Sequence, residues 1–419
     1  MGAESCSIFV LDYYAEGYRK DFSRKGESAT ANLKTFFAPF CEISLGTMNE
    51  PTISISVREL SVEQSRPAAW ANHIKPVFLV SLLLATWLPM GFFLLSSRLQ
   101  GSMFGYAGTR TLLLFLGTAH VPATLFFYLD KDFSEIIRRH KARYIYFPIV
   151  LTLLTGLLFA FASTIAQAYL LLMYWSWQAF HYGRQNTGIY SFVSIGQRGA
   201  PPSKYERLVI DLGTWCGIIG TFRILGSGVA PAYLQKPFDT LYWLGTFAFV
   251  LVLVASLVVY IQNFKRTTPL LTIFYFTLVC FFLPVFLSTE INIAFFSYAI
   301  AHGVQYILFM TVVSLNLDPQ APAQRFQVAN AVKLLLLTVI IGFVFYRAGD
   351  LKTVEFVTTH PALIRIVDFV IGAVLGATMA HFVVDASAWR LSQSLQRRYI
   401  GKRFAFVFGD AGNRTNPTQ

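Results

Sequence analysis

Charged residues are scarce in this chain. Asp, Glu, Lys and Arg together make up only 13% of the 419 residues, whereas hydrophobic residues make up 55%. An ordinary soluble domain has about 25% charged residues. The shortage excludes a soluble globular protein and indicates an integral membrane protein.

The chain also has few cysteines and no nucleotide-binding glycine motif. The four cysteines, Cys6, Cys41, Cys216 and Cys280, show no paired spacing, which excludes a disulfide framework and a thiolate zinc site. The absence of a Walker or Rossmann glycine pattern argues against an ATP-driven pump and a nicotinamide-binding domain. The net charge of +12 indicates contact with lipid headgroups rather than with nucleic acid.

Apolar runs of about 20 residues, the length needed to cross a bilayer, occupy most of the chain from residue 76 onward. They predict an all-α polytopic transmembrane helical bundle of about ten spans, spanning residues 71–389. The predicted spans lie near residues 76–96, 105–129, 144–163, 166–184, 206–225, 238–262, 269–288, 291–315, 328–346 and 363–384.

The two ends of the chain have a different composition. Residues 1–70 lack such a run, so we predict a flexible or loosely docked N-terminal extension. Residues 390–419 form a predicted basic cytoplasmic tail, whose alternating aromatic and basic residues suit a helix that lies on an anionic leaflet.

Positive charge alternates between the connections. The segments 130–143, 184–207, 263–268, 316–333 and 390–403 carry 18 Lys and Arg residues, and the connections at the opposite ends of the spans carry seven. Because cytoplasmic loops retain Lys and Arg, this bias predicts that both termini are cytoplasmic.

Four of the seven histidines fall inside predicted spans, all of them even-numbered. They are His120, His181, His302 and His381. Ionisable groups in the hydrocarbon region are costly and normally face a cavity or a partner. We therefore predict that these four histidines bind one metal ion. The alternative is that they form hydrogen bonds between helices without a metal.

A metal-bound histidine usually donates its other ring proton to a polar group. Polar residues three or four positions from a histidine lie on the same helix face, so we predict that they are the partners of these imidazoles. The predicted outer-sphere residues are Gln178, Gln185, Gln305, Tyr306 and Asp385.

The stretch "YWSWQAFHYGRQNTG", residues 174–188, leaves two interpretations open. If the fourth helix ends near residue 184, Arg184 is an interfacial cation. If the helix continues through "GIYSFVSI" to about residue 195, His181 reaches the depth of the other histidines at 1.5 Å per residue. Arg184 then needs an anionic headgroup, a carboxylate or a substrate carboxyl group as its partner.

The histidines in "AHGVQY" and "HFVVDASAWR", within a polytopic bundle, give the chain a resemblance to the Brp/Blh β-carotene dioxygenases. The resemblance covers the membrane part as an architecture. It implies a membrane-embedded oxygenase with histidine-ligated non-haem iron.

The residues by themselves favour similar chemistry. Neutral imidazoles without thiolates suit iron, copper or zinc, and an aromatic content of 16% can line a dry cavity. We therefore expect a metal-dependent oxidoreductase or oxygenase in a bacterial inner membrane, with iron, an apolar small-molecule substrate and an unidentified redox partner. Two alternatives are a haem-binding electron-transfer protein and a transporter.

Overall fold

The computed structural model describes residues 69–99, 112–229, 232–317, 328–353, 357 and 359–409. Within these ranges every regular element is helical and none is a strand, in agreement with the all-α class. The predicted N-terminal extension lies outside the described residues except for its last two, as do residues 410–419 of the predicted tail.

Ten helices overlap the ten predicted spans in order, and two short helices follow them. They are α1 (Ala69–Leu99), α2 (Leu116–Leu129), α3 (Ala142–Phe161), α4 (Thr164–Arg198), α5 (Lys204–Val229), α6 (Ala232–Asn263), α7 (Pro269–Val279), α8 (Asn292–Leu315), α9 (Val328–Arg347), α10 (Pro361–Ala388), α11 (Ser394–Arg403) and α12 (Ala405–Phe408).

In the described part of the chain, seven helices are long and apolar enough to cross a membrane: α1, α3, α5, α6, α8, α9 and α10. A chain with seven such helices is a multi-pass membrane protein. Helices α2 and α7 are apolar but shorter, and α4 is 35 residues long with many polar residues. The span count of ten and the orientation of the termini stay predictions.

Two of the predicted continuous spans are broken. A π-helical turn at Leu113–Thr118 overlaps the start of helix α2, which resumes as the short helix His120–Ala123 and turns again before Phe126–Leu129. Pro122 lies in the middle of this break and has no N–H to donate to a preceding turn. The span predicted at 269–288 similarly stops at Val279, and the short helix Pro284–Leu287 follows.

Helices α3 and α10 pack together closely through a G-x-x-x-G pattern. A Cβ atom on Gly372 would lie 2.7 Å from the carbonyl oxygen of Thr155, and one on Gly376 would lie 2.8 Å from Cα of Thr152. Small residues at this spacing let two membrane helices approach at backbone distance. The contact fixes the position of α10, which carries His381.

The C-terminal helices α11 and α12 pack against the rest of the protein through buried side chains. Arg403 is buried, and its guanidinium Nη2 donates to Asp130 at 2.9 Å and to Asp132 at 2.8 Å. Tyr399 also donates to Asp130, at 2.7 Å. Burial, together with the Asp130 carboxylate, raises the pKa of Tyr399 well above its ordinary value. Aromatic and basic residues thus make contacts within the protein here.

Candidate metal centre

The four histidines predicted from the sequence lie together in the interior of the bundle. They come from four helices: His120 from α2, His181 from α4, His302 from α8 and His381 from α10, and all four are buried. The ring centroids of His120 and His302 are 4.6 Å apart, and those of His181 and His302 are 4.7 Å apart. His120 and His381 follow at 5.0 Å.

Their convergence depends on the length of α4. The helix begins at Thr164, where the Ser163 hydroxyl caps the backbone N–H of Ala166, and it continues to Arg198. Helix α4 therefore continues past residue 195, as the longer of the two interpretations of residues 174–188 predicts, and does not end near residue 184. His181 lies near the middle of α4, as that interpretation requires.

Several ring nitrogens in the cluster face one another without a partner. The Nε2 atoms of all four histidines are buried and make no hydrogen bond within the described residues, and the same holds for Oδ2 of Asp385. One nitrogen from each of His120, His302 and His381 lies within 4.8 Å of the other two. The atoms of His181, His381 and Asp385 form a second such group. His381 belongs to both.

Hydrogen bonds orient two of the rings. Nδ1 of His120 lies 3.3 Å from the carbonyl oxygen of Leu116, and Nδ1 of His381 contacts the hydroxyl of Thr124. A carbonyl can only accept, so His120 carries its proton on Nδ1, and the bonding at Thr124 favours the same tautomer for His381. Both Nε2 atoms then present lone pairs to the cluster, as metal-ligating imidazoles do.

Asp385 belongs to a polar network beside His381. Its Oδ1 accepts hydrogen bonds from the hydroxyls of Tyr306 at 2.7 Å and Thr124 at 3.3 Å. The two hydroxyls are 2.8 Å apart. The network links α2, α8 and α10, and it contains two of the predicted outer-sphere residues.

Gln185 and Gln305 contact the backbone and each other rather than an imidazole. The Gln185 amide donates to Oε1 of Gln305 at 2.8 Å and to the carbonyl oxygen of His302 at 3.4 Å. The Gln305 amide donates to the Thr86 hydroxyl of α1 at 2.9 Å. These bonds hold α1, α4 and α8 together, so their effect on His302 is indirect.

Two predicted residues have partners away from the histidines. The amide of Gln178 donates to the Tyr174 hydroxyl at 2.9 Å. Nη1 of Arg184 lies 3.1 Å from the Asp211 carboxylate on α5, which also accepts from Thr187 at 2.7 Å. The carboxylate is thus the partner of Arg184 in this structure, although half of the arginine side chain remains exposed (50%).

The backbone beside His302 is as important as its side chain. A Cβ atom on Gly303 would lie 1.6 Å from the carbonyl oxygen of Leu116 and 3.2 Å from Nδ1 of His120. Only glycine lets α8 approach α2 this closely. The same carbonyl orients His120, so one close contact brings two of the histidines together.

Thr124 is the residue that the sequence analysis missed. It is buried and contacts His381, Tyr306 and Asp385. A signal was present, because Thr124 follows His120 by four residues, the same spacing that singled out Tyr306 and Asp385. The break in α2 separates the two residues, and the hydroxyl turns toward His381.

Comparisons with protein-family models, with curated proteins and with solved structures give no match. The function is therefore argued from the geometry of the site.

Proposed function

We propose that this protein is a membrane-embedded oxidoreductase or oxygenase that holds a transition metal with His120, His181, His302 and His381 and acts on a lipid-soluble substrate. The observation that carries the proposal is the set of four buried Nε2 atoms without hydrogen-bond partners, from four different helices, in two groups of possible ligands that share His381.

Electrostatics favours a cation at this point. Four lone pairs and the unpartnered Oδ2 of Asp385 would repel one another in a medium of low dielectric constant, where buried polar groups without partners are costly. Protonating several of the imidazoles instead would place like charges in ring contact. A metal ion bound by the histidines would give these nitrogens a partner.

The donor set also limits the identity of the metal. Neutral imidazoles suit iron, copper or zinc, and the described cysteines, Cys216 and Cys280, are not among the grouped ligand atoms. We propose iron, which would supply redox chemistry at this site. The resemblance to the Brp/Blh dioxygenases, noted from the sequence, implies the same metal.

The haem alternative has less support. Edge-to-face contacts at 4.6 and 4.7 Å between ring centroids leave no space for a porphyrin between His302 and either His120 or His181.

The transporter alternative is supported by the broken helices α2 and Pro269–Leu287, because transporter sites often lie at such breaks.

The surroundings of the histidines point to an apolar substrate. His181 stacks on Phe382 at 4.1 Å, and His302 lies 4.8 Å from the ring of Tyr182. His302 also lies about 15 Å from the start of its 24-residue span, a depth that headgroups do not reach.

We also propose that the protein lies in a bacterial inner membrane and that a redox partner supplies electrons to the site.

The test is the metal content of the purified protein. Each of the four histidines is replaced singly by alanine, and metal per polypeptide is measured in folded, detergent-purified protein. Because ligands of one ion share one binding event, each substitution should remove most of the metal, and a second substitution should cost little more.

The matched controls are His140→Ala and His360→Ala, which lie outside the cluster and should keep the wild-type content. A wild-type protein without metal, or four alanine variants with full metal, would show that these histidines only form contacts between helices. A Soret band in the visible spectrum, with two of the four histidines required, would support the haem alternative.

A further inference from the structure

A cavity of about 150 Å³ lies between α3, α4 and α10. Its wall includes Leu154 and Leu158 of α3, Trp177 of α4, and Leu375 and Met379 of α10. No charged side chain lines it. An apolar cavity of this size stays dry and has room for about six carbon atoms, since an engineered cavity of roughly 150 Å³ binds benzene.

The cavity borders the lipid on its outer side. Leu154 and Leu158 line it, and both are also exposed on the outer surface of the bundle. In a multi-pass membrane protein such a surface faces acyl chains. A hydrocarbon chain can therefore pass between the bilayer and the cavity without crossing water.

The inner side of the cavity lies next to the histidines along two helices. Trp177 precedes His181 by four residues, about 6 Å along α4. Met379 precedes His381 by two residues, about 3 Å along α10. Each of these two helices therefore carries both a residue of the cavity wall and a histidine of the cluster.

Polar side chains border the cavity on the same two helices. The Tyr174 hydroxyl accepts a hydrogen bond from Gln178 and makes another with Thr378, whose own hydroxyl donates to the carbonyl oxygen of Val374. Tyr174 lies in the cavity wall, and Gln178 and Thr378 each precede a histidine by three residues. The contact with Tyr174 gives Gln178 a place at the edge of the cavity.

We propose that this cavity binds the hydrocarbon end of the substrate, a long-chain lipid-soluble molecule that enters from the bilayer beside Leu154 and Leu158 of α3. The inference rests on the proposed function, because it places that substrate beside the metal. It also specifies the position of reaction: a carbon of the chain, rather than a headgroup, lies nearest the histidines.

The experiment is photolabelling in detergent, followed by mass spectrometry of the labelled peptides. The probe is an 18-carbon alcohol with a diazirine on its terminal carbon. It should label residues 173–177 or 375–379 saturably, and unlabelled alcohol should compete. Phosphatidylcholine with a diazirine at the end of one acyl chain serves as the second probe and should label these peptides at least tenfold less.

Matched variants locate the binding. Leu154 and Leu157 are both 49% exposed on α3, but only Leu154 lines the cavity. Leu154→Trp should reduce saturable labelling at least tenfold, and Leu157→Trp should leave it unchanged. Leu375→Trp, which fills the interior of the cavity, should act like Leu154→Trp and provides a second variant if one of them folds poorly.

Labelling does not require the metal, so the two proposals fail separately. Saturable labelling of protein without metal would support the cavity and count against the metal centre. Labelling that does not saturate, that is equal for Leu154→Trp and Leu157→Trp, or that is equally strong with phosphatidylcholine would overturn the inference. In the last case the cavity holds ordinary bilayer lipid.

Discussion

Nε2 of His381 lies 3.4 Å from Oδ2 of Asp385, one turn further along α10, and neither atom makes a hydrogen bond within the described residues. The other oxygen of Asp385 is held by Tyr306 and Thr124. An ionised carboxylate at this distance would attract a cation that the histidines bind.

The first prediction concerns that charge. Asp385→Asn keeps the size of the side chain but removes its charge, and it should weaken metal binding by about 10–100-fold without abolishing it, as is typical of outer-sphere substitutions. A metal titration of the purified protein measures the affinity. Gln305→Met is the comparison, because Gln305 contacts Gln185 and Thr86 rather than a ring, and its effect on affinity should be smaller. Equal affinities for the wild type and Asp385→Asn would remove Asp385 from the site.

The second prediction concerns Thr124. Thr124→Val removes a hydroxyl that contacts His381, Tyr306 and Asp385, and leaves buried polar atoms unpaired at a cost of about 1–3 kcal/mol. Unfolding in a denaturing detergent should show this loss, and metal affinity should fall as well. Thr124→Ser retains the hydroxyl and should behave much more like the wild type. Wild-type behaviour of the valine variant would show that the network does not support the site.

The third prediction concerns the approach of α8 to α2. Gly303→Ala would place Cβ 1.6 Å from the Leu116 carbonyl oxygen, so the helices must separate, at a cost of about 1–3 kcal/mol or more for overpacking. The temperature of thermal unfolding and the metal content of the purified protein should both fall.

Gly188→Ala is a matched control for that change. Gly188 lies in helix α4, and a Cβ atom there meets nothing within 4 Å. The added methyl group should be neutral or stabilise by up to about 1 kcal/mol, because alanine favours the helix over glycine. If the two alanine variants unfold alike, the close contact at Gly303 is not needed.

The fourth prediction concerns the attachment of the C-terminal helices. Arg403→Gln leaves the Asp130 carboxylate, whose side chain is only 9% exposed, without its cationic partner, and removing one member of a buried ion pair costs about 3–5 kcal/mol. Protease sensitivity of residues 394–409 and the unfolding midpoint report this change. Arg398→Gln, at an exposed position on the same helix, should leave both at wild-type values; comparable losses in the two variants would argue against a specific ion pair.

The fifth prediction is topological. Arg403 contacts Asp130 and Asp132, so the segment 130–139 and the C-terminal helices lie at one end of the bundle. Reporters inserted in 130–143 and after residue 409 should both be cytoplasmic, as the charge bias predicts, and a reporter in 347–360 should be on the opposite side. Reporters on different sides for the first two would refute this arrangement.

The sequence by itself determined the class of the protein and the identity of the four central histidines. Hydropathy is a local property, so runs of apolar residues predict helices without knowledge of their neighbours. The free-energy cost of placing an imidazole in hydrocarbon also depends only on its position within an apolar run. This cost is the reason that His120, His181, His302 and His381 could be selected from the sequence.

Only the tertiary structure decided how those histidines meet and which polar groups reach them. The packing of α4 against α5 places Arg184 against Asp211, although Arg184 lies close to His181 in sequence. The break in α2 directs Thr124 toward His381. The close approach at Gly303 depends on the distance between two backbones. Helix spacing predicts which residues share a face, but the partner across that face depends on how the helices pack.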